Sequence, residues 1–143
     1  MFEDLVAKLN ISYLAKVQQA NNCYEDIKYY FIDEVGEEKA EDYLDTFVMQ
    51  FLSSDGIVSN TEVNFYSDFA IKTCKQEALV KRYKELKAKG TIEEMREVVD
   101  RAQEHIKQAI IQLAGWCLVC DKELTETEKA DYAKFIKLIN REK

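Results

Sequence analysis

Four carboxylates recur at one spacing. Asp55 precedes Glu62 by seven residues, and Asp121 precedes Glu128 by the same seven. The octets are Asp55-Gly-Ile-Val-Ser-Asn-Thr-Glu62 and Asp121-Lys-Glu-Leu-Thr-Glu-Thr-Glu128, which share the pattern Asp-x-x-aliphatic-Ser/Thr-x-x-Glu. An aspartate in a turn and a glutamate one helical turn into the next helix offer hard oxygens, the ligands that Ca²⁺ and Mg²⁺ prefer. Asp55, Glu62, Asp121 and Glu128 are therefore the candidate metal ligands. Few ligands per loop leave an ion holding several waters, so binding is expected to be weak. The first loop is not an EF-hand. Ile57 stands at the third position and Tyr66 at the twelfth, where oxygen ligands are required. Lys122 sits beside Asp121 and can neutralise it, so the first loop is expected to hold an ion more tightly than the second. If all four carboxylates converged to within about 4–6 Å, a small metal-dependent enzyme would be the natural reading.

The same residues also have an architectural reading. Ser59 lies three residues before Glu62, and Thr125 three before Glu128, which is capping-box spacing. Asp55 and Asp121 can close Asx-type turns. No nucleophile–base pair, glycine-rich phosphate loop or histidine cluster points to catalysis elsewhere. Cys117-Leu-Val-Cys120 has CxxC form but lacks a preceding strand pattern and further zinc ligands, and reads as two small apolar residues on a buried helix. His105, the single histidine, is expected partly buried or at the surface. Tyr24, Tyr29 and Tyr30 are expected to be half core and half rim. Lys81-Arg-Tyr-Lys-Glu-Leu-Lys-Ala-Lys89 is a basic segment on an acidic chain, suited to an acidic partner or to a solvated helix end.

The elements that must position these groups read as helices throughout. From Phe2 to Val35 apolar residues recur at three- and four-residue steps, with a break expected near Asn10 or Asn21-Asn22. Gly36 should stop this segment, and Glu37 to Ser53 should resume it. Helices are predicted to begin at about Asn60 and Glu126. The first runs through Phe65, Phe69, Cys74 and Leu79 towards Lys89 with a break. Thr91 and Glu94 have the spacing of a third capping box, opening a long helix through Met95, Val98, Ala102, Ile106, Ala109 and Leu113. Ala109 to Val119 is apolar nearly all round and is expected at the centre of the core, with Trp116 filling it and Gly115 admitting a neighbouring helix. The final helix uses Tyr132, Phe135, Ile136 and Ile139.

The repeat extends beyond the octets. Asp55 and Asp121 are 66 residues apart, and the same step pairs Leu52 with Leu118, Tyr66 with Tyr132 and Phe69 with Phe135. Residues 47–72 and 113–138 are thus expected to form equivalent helix–loop–helix units.

Bulk properties narrow the function classes. The 143 residues fit a single domain, 1–143, and the absence of proline with only four glycines suits long helices. A net charge of −7 opposes binding to nucleic acid or anionic lipid and suits a cation or a basic partner. The acidic opening Met1-Phe-Glu-Asp4 lacks the positive region of a signal peptide, and the longest apolar stretch is too short for direct membrane insertion. Four scattered cysteines fit a reducing compartment, so a cytoplasmic setting is expected.

The paired octets, with an apolar approach helix and an aromatic four residues after each glutamate, resemble the TerB-like family, the small helical domain of tellurite-resistance proteins. Asp55, Gly56, Val58, Ser59 and Glu62 fit that pattern; Lys122 departs from it where glycine is usual. The resemblance covers roughly residues 47–72 and 113–139. It implies an all-α bundle of about seven helices in two pseudo-symmetric halves, and two acidic surface clusters suggested to bind metal ions. It further implies a non-enzymatic binding or scaffolding module in stress-response or phage-defence assemblies, with protein partners, often in a membrane-associated complex. Competing readings are the small metal-dependent enzyme and a purely structural helical adaptor using the Tyr24–Phe31 surface or an apolar groove.

Overall fold

A computed structural model describes residues 11–52, 58–119, 130, 132–134, 136 and 137. The expectation of an all-α fold holds, and no strand occurs among the described residues. Six helices follow in order: α1 Tyr13–Val35, α2 Glu37–Leu52, α3 Asn60–Ala70, α4 Gln76–Ala88, α5 Thr91–Asp100 and α6 Glu104–Leu118. Residues 130, 132–134, 136 and 137 are also helical. Among the described residues no helix is long and apolar enough to cross a membrane.

Helix α1 starts at Ser12, whose hydroxyl accepts the Ala15 N–H at 3.3 Å. Its buried stripe, Ala20, Tyr24, Ile27 and Phe31, has the spacing of one helix face. Of the two positions at which a break is expected, Asn10 lies outside the described residues, and at Asn21-Asn22 the helix runs on unbroken. Asn21 instead directs its side-chain amide to the Phe69 carbonyl at 2.8 Å, satisfying a group at the end of α3, and Asn22 accepts from Gln18 at 3.2 Å. Both amides thus bond away from their own backbone, so neither competes with the helix. Gly36 ends α1 as predicted, at φ +88, with its N–H donating to the Ile32 carbonyl.

Helix α2 is central: it packs against each of the other five helices. Every residue from Tyr43 to Met49 is buried, including Asp45 and Thr46. Thr46 satisfies its hydroxyl on the Asp42 carbonyl at 2.7 Å. Helix α6 packs most extensively on α1 and forms the other half of the core. Ala109–Ile111 and Leu113–Val119 are buried, as the all-round apolar pattern predicts. Tyr132 is buried against the same core, and Ile136 packs on it in part.

Two expectations fail between α4 and α6. Thr91 and Glu94 do not form a capping box. Gly90, in the left-handed region at φ +82, occupies the N-cap position, and Thr91 lies inside the helix. Glu94 turns to α2, where it takes Lys39 at 3.0 Å and the Tyr43 hydroxyl at 3.2 Å. The long helix is also two helices. The chain turns through Arg101 and Ala102 with tight bonds to Val98 and Val99, and extended Gln103 starts α6 in a new direction. Ala102 and Ile106 are both buried, so the apolar stripe continues across the bend and hides it from a periodicity argument.

Candidate functional site

Of the predicted ligands, Glu62 is described. Asp55, Asp121 and Glu128 lie outside the described residues, as do Gly56, Lys122 and Thr125, so the convergence of the four carboxylates and the second cap lie there too. The first capping box forms in full. The Ser59 hydroxyl accepts the Glu62 N–H at 3.2 Å, and Glu62 Oε1 accepts the Ser59 N–H at 2.8 Å. Glu62 is buried, 6% exposed. Among the described residues no group of three or more His, Cys, Asp or Glu side chains is placed to hold a metal ion.

Charge is concentrated instead in a cluster that joins four elements. Helix α2 carries Glu41, Asp42 and Asp45 on neighbouring turns, and Asp45 is 5% exposed. Asp45 Oδ1 accepts the Tyr66 hydroxyl of α3 and the Lys72 ammonium at 2.9 Å, while Oδ2 accepts Arg82 Nε of α4 at 2.6 Å. Arg82 Nη2 reaches Asp42 at 2.6 Å, and Lys72 reaches Glu41 at 2.8 Å. The ammonium also lies 4.7 Å from the centre of the Tyr66 ring, within cation–π range. Tyr24 of α1 packs behind the cluster, its ring edge-on to those of Tyr66 at 6.3 Å and Phe69 at 5.5 Å.

Lys72 reaches the cluster from an unusual turn. Ile71 ends α3 in the left-handed region at φ +55, where a β-branched residue is strained. Its N–H and that of Lys72 both close on the Ser67 carbonyl. The Ser67 hydroxyl in turn accepts the Cys74 N–H at 3.1 Å, which brings the chain round to α4.

The surroundings favour the protonated forms of Tyr24, Tyr66, Lys72 and Arg82. Burial pushes the Tyr66 hydroxyl well above its ordinary pKa, and the Asp45 carboxylate adds to the rise. Burial likewise raises Tyr24, to about 12. Burial opposes the Lys72 ammonium, but Asp45 and Glu41 outweigh it and hold its pKa above the lysine norm. Arg82 behaves in the same way, with burial outweighed by Asp45 and Asp42. Tyr24, Tyr66, Lys72 and Arg82 are tuned away from neutrality, and their arrangement is that of a clasp.

One more polar group, Lys16, escaped the sequence reading. Lys16 is fully buried in α1 and donates to the Val119 carbonyl at 3.0 Å, placing a cation on the C-terminal end of α6. Cys117 is buried, and burial raises its thiol pKa far above the ordinary value, with Glu62 and Cys23 contributing. Its burial agrees with the apolar reading of this half of the CxxC; Cys120 lies outside the described residues.

At the surface, a groove of about 490 Å³ runs between α1 and the start of α6, walled by Asp26, Tyr29, Asp33, Glu34, Arg101 and His105. Tyr29 is 62% exposed and His105 is exposed, whereas Tyr24 is buried and Tyr30 donates its hydroxyl to the Val98 carbonyl at 2.6 Å. The tyrosines thus divide into core and rim as predicted. No protein-family profile, curated protein or solved structure matches this chain.

Proposed function

We propose that the chain is a non-enzymatic helical binding and scaffolding module of the TerB-like type. One observation carries the reading: the division of charge between inside and outside. The buried carboxylate Asp45 is matched by Tyr66, Lys72 and Arg82 within the domain, while shallow grooves with aromatic and charged walls remain on the surface. Interior polarity then serves rigidity, and the surface serves recognition. The paired octets link this reading to the TerB-like pattern and to its two pseudo-symmetric halves.

A weakly bound divalent cation belongs to the same proposal, at Asp55 with Glu62 and at Asp121 with Glu128. Glu62 Oε1 already accepts the Ser59 N–H, so an ion at the first loop would share a carboxylate engaged in a helix cap. Calcium titration followed by amide shifts tests this part. Shifts centred on Ser59–Glu62 support it, and their absence at millimolar calcium removes the cation from the proposal.

The module reading is tested by site-specific photo-cross-linking in cells. A photoreactive residue replaces Tyr29 in one variant and Lys84 in another. Discrete adducts with a protein, which re-form from purified components at fixed stoichiometry, are expected. Absence of a discrete adduct from both positions would overturn the reading.

A further inference from the structure

The outer face of α4 differs from the rest of this acidic chain. A groove of about 360 Å³ lies between α4, the end of α2 and Val58. Its floor is apolar: Met49 and Val58 are buried, and Val80 and Tyr83 are partly buried against the core. Lys84 and Lys87 stand exposed on its rim. The groove continues along α4 into a second recess walled by Val80, Lys81 and Lys84, with Glu77 at its far end. Neither Lys81, Lys84 nor Lys87 makes an ion pair among the described residues. The Tyr83 hydroxyl likewise makes no hydrogen bond among the described residues, and burial alone raises its pKa.

These features describe a site with unused valence of one sign. Helical spacing sets Val80, Tyr83, Lys84 and Lys87 along one side of α4, an apolar strip edged by cations. The long lysine stems extend the apolar surface while their ammonium groups stay in water. A ligand that matches it needs an apolar side chain for the floor, carboxylates for the rim, and an acceptor for the Tyr83 hydroxyl. A nucleic acid would need a denser basic surface and a flat stacking platform, whereas this floor is largely aliphatic and Glu77 and Glu85 lie on the same exposed helix.

We propose that the α4 groove docks an acidic peptide segment of a partner protein. The segment lays an apolar side chain on Val80 and Tyr83 and sets carboxylates against Lys84 and Lys87. The proposal rests on the module reading and names the partner's chemistry.

The test uses the full chain and a fluorescein-labelled helical peptide of glutamates with a leucine stripe at i, i+3 and i+4. Comparators are the same peptide with glutamine for glutamate, a lysine–leucine peptide of equal length, and oligothymidylate. The acidic peptide should bind with an affinity that falls as salt rises, and its amide shifts should centre on Val80–Lys87. Reversing the rim charges in K84E/K87E should weaken it about ten-fold. Tyr83→Phe keeps the ring and removes the hydroxyl, and should give a smaller loss. Circular dichroism verifies that both variants fold. Equal binding to K84E/K87E, equal binding of the glutamine peptide, or preference for oligothymidylate would overturn the proposal. Binding of the lysine–leucine peptide alone, with shifts at Asp26–Glu34, would overturn it while leaving the module reading intact. The module reading fails only by the cross-linking test.

Discussion

Helix α4 carries two sets of cations that lead different lives. On its inner side Arg82 is held by Asp45 and Asp42 at 2.6 Å each. On its outer side Lys84 and Lys87 stand exposed with no ion pair among the described residues. One residue, Tyr83, separates Arg82 from Lys84, and the turn of the helix sends them to opposite environments. The inner cation is linked to a carboxylate that has little access to water, so removing the carboxylate takes an acceptor from three donors at once, while removing the cation leaves the carboxylate two of its three partners. The outer cations remain hydrated and cost little to keep or to lose. The type of residue does not decide whether a charge is architecture or address; burial and pairing do.

The contrast is broken most directly at Asp45. Asp45→Ala leaves Tyr66, Lys72 and Arg82 without their shared acceptor. Lys72 and Arg82 keep part of their hydration, so the expected loss lies at the low end for a buried ion pair, about 3 kcal/mol. Urea denaturation measures it. A loss below about 1 kcal/mol would show that the cluster behaves as a surface pair.

Alkali attacks the same region. Tyr24 is raised to about 12, Tyr66 lies well above 10.0, and Lys72 is raised above 10.5. Each folded pKa exceeds its unfolded value, so the stabilisation is complete below the unfolded values and is lost as pH rises through the folded ones. Stability should therefore fall from about pH 10 towards pH 12 and beyond. Tyr24→Phe removes one of these titrations and should flatten the decline. An unchanged slope in a pH series of urea midpoints would argue that Tyr24 does not contribute.

Smaller effects come from the caps. Ser59→Ala removes the acceptor of the Glu62 N–H and should cost roughly 0.5–2 kcal/mol, measurable by thermal or urea unfolding. Ile71 moves in the opposite direction. It is 79% exposed at φ +55, so Ile71→Gly loses little packing and relieves the left-handed strain. A gain of roughly 0.5–1 kcal/mol is expected; a destabilised variant would mean that the Ile71 side chain contributes more than its exposure suggests.

What could be read from the sequence follows the range of the interactions. The Ser59–Glu62 box is local: donor, acceptor and backbone lie within one turn, and it forms as its spacing predicts. The apolar run Ala109–Val119 is also self-evident, because a helix without a polar face must be buried. Thr91 and Glu94 have the same spacing as Ser59 and Glu62 but fail to pair, since Lys39 and Tyr43 arrive from α2 and Gly90 takes the cap. Asn21 fails as a breaker for the same reason, with Phe69 as the distant partner. The clasp is assembled from residues 24, 41, 42, 45, 66, 72 and 82, and no local pattern joins them. The one available hint was Asp45 itself, a carboxylate set among Leu44, Phe47 and Val48 at the start of the apolar half of its helix. A charge in that position calls for a partner, but sequence alone does not choose among the cations downstream.

The outer face of α4 supplies the sharpest form of the comparison, through the smallest effect. Lys84→Ala and Lys87→Ala remove hydrated charges with no ion pair to break, so each should change unfolding free energy by no more than about 0.5 kcal/mol. Arg82→Ala, two residues from Lys84, takes one of three partners from the buried Asp45 and a charged partner from Asp42, and should cost several times as much. Urea denaturation of the three variants side by side gives the ratio directly. A strongly destabilised Lys84→Ala or Lys87→Ala would mean that the outer lysines hold the fold, and the groove they edge would then be part of the architecture. Near-silent lysine variants beside a damaging Arg82→Ala would place the boundary between structure and recognition within a single turn of one helix.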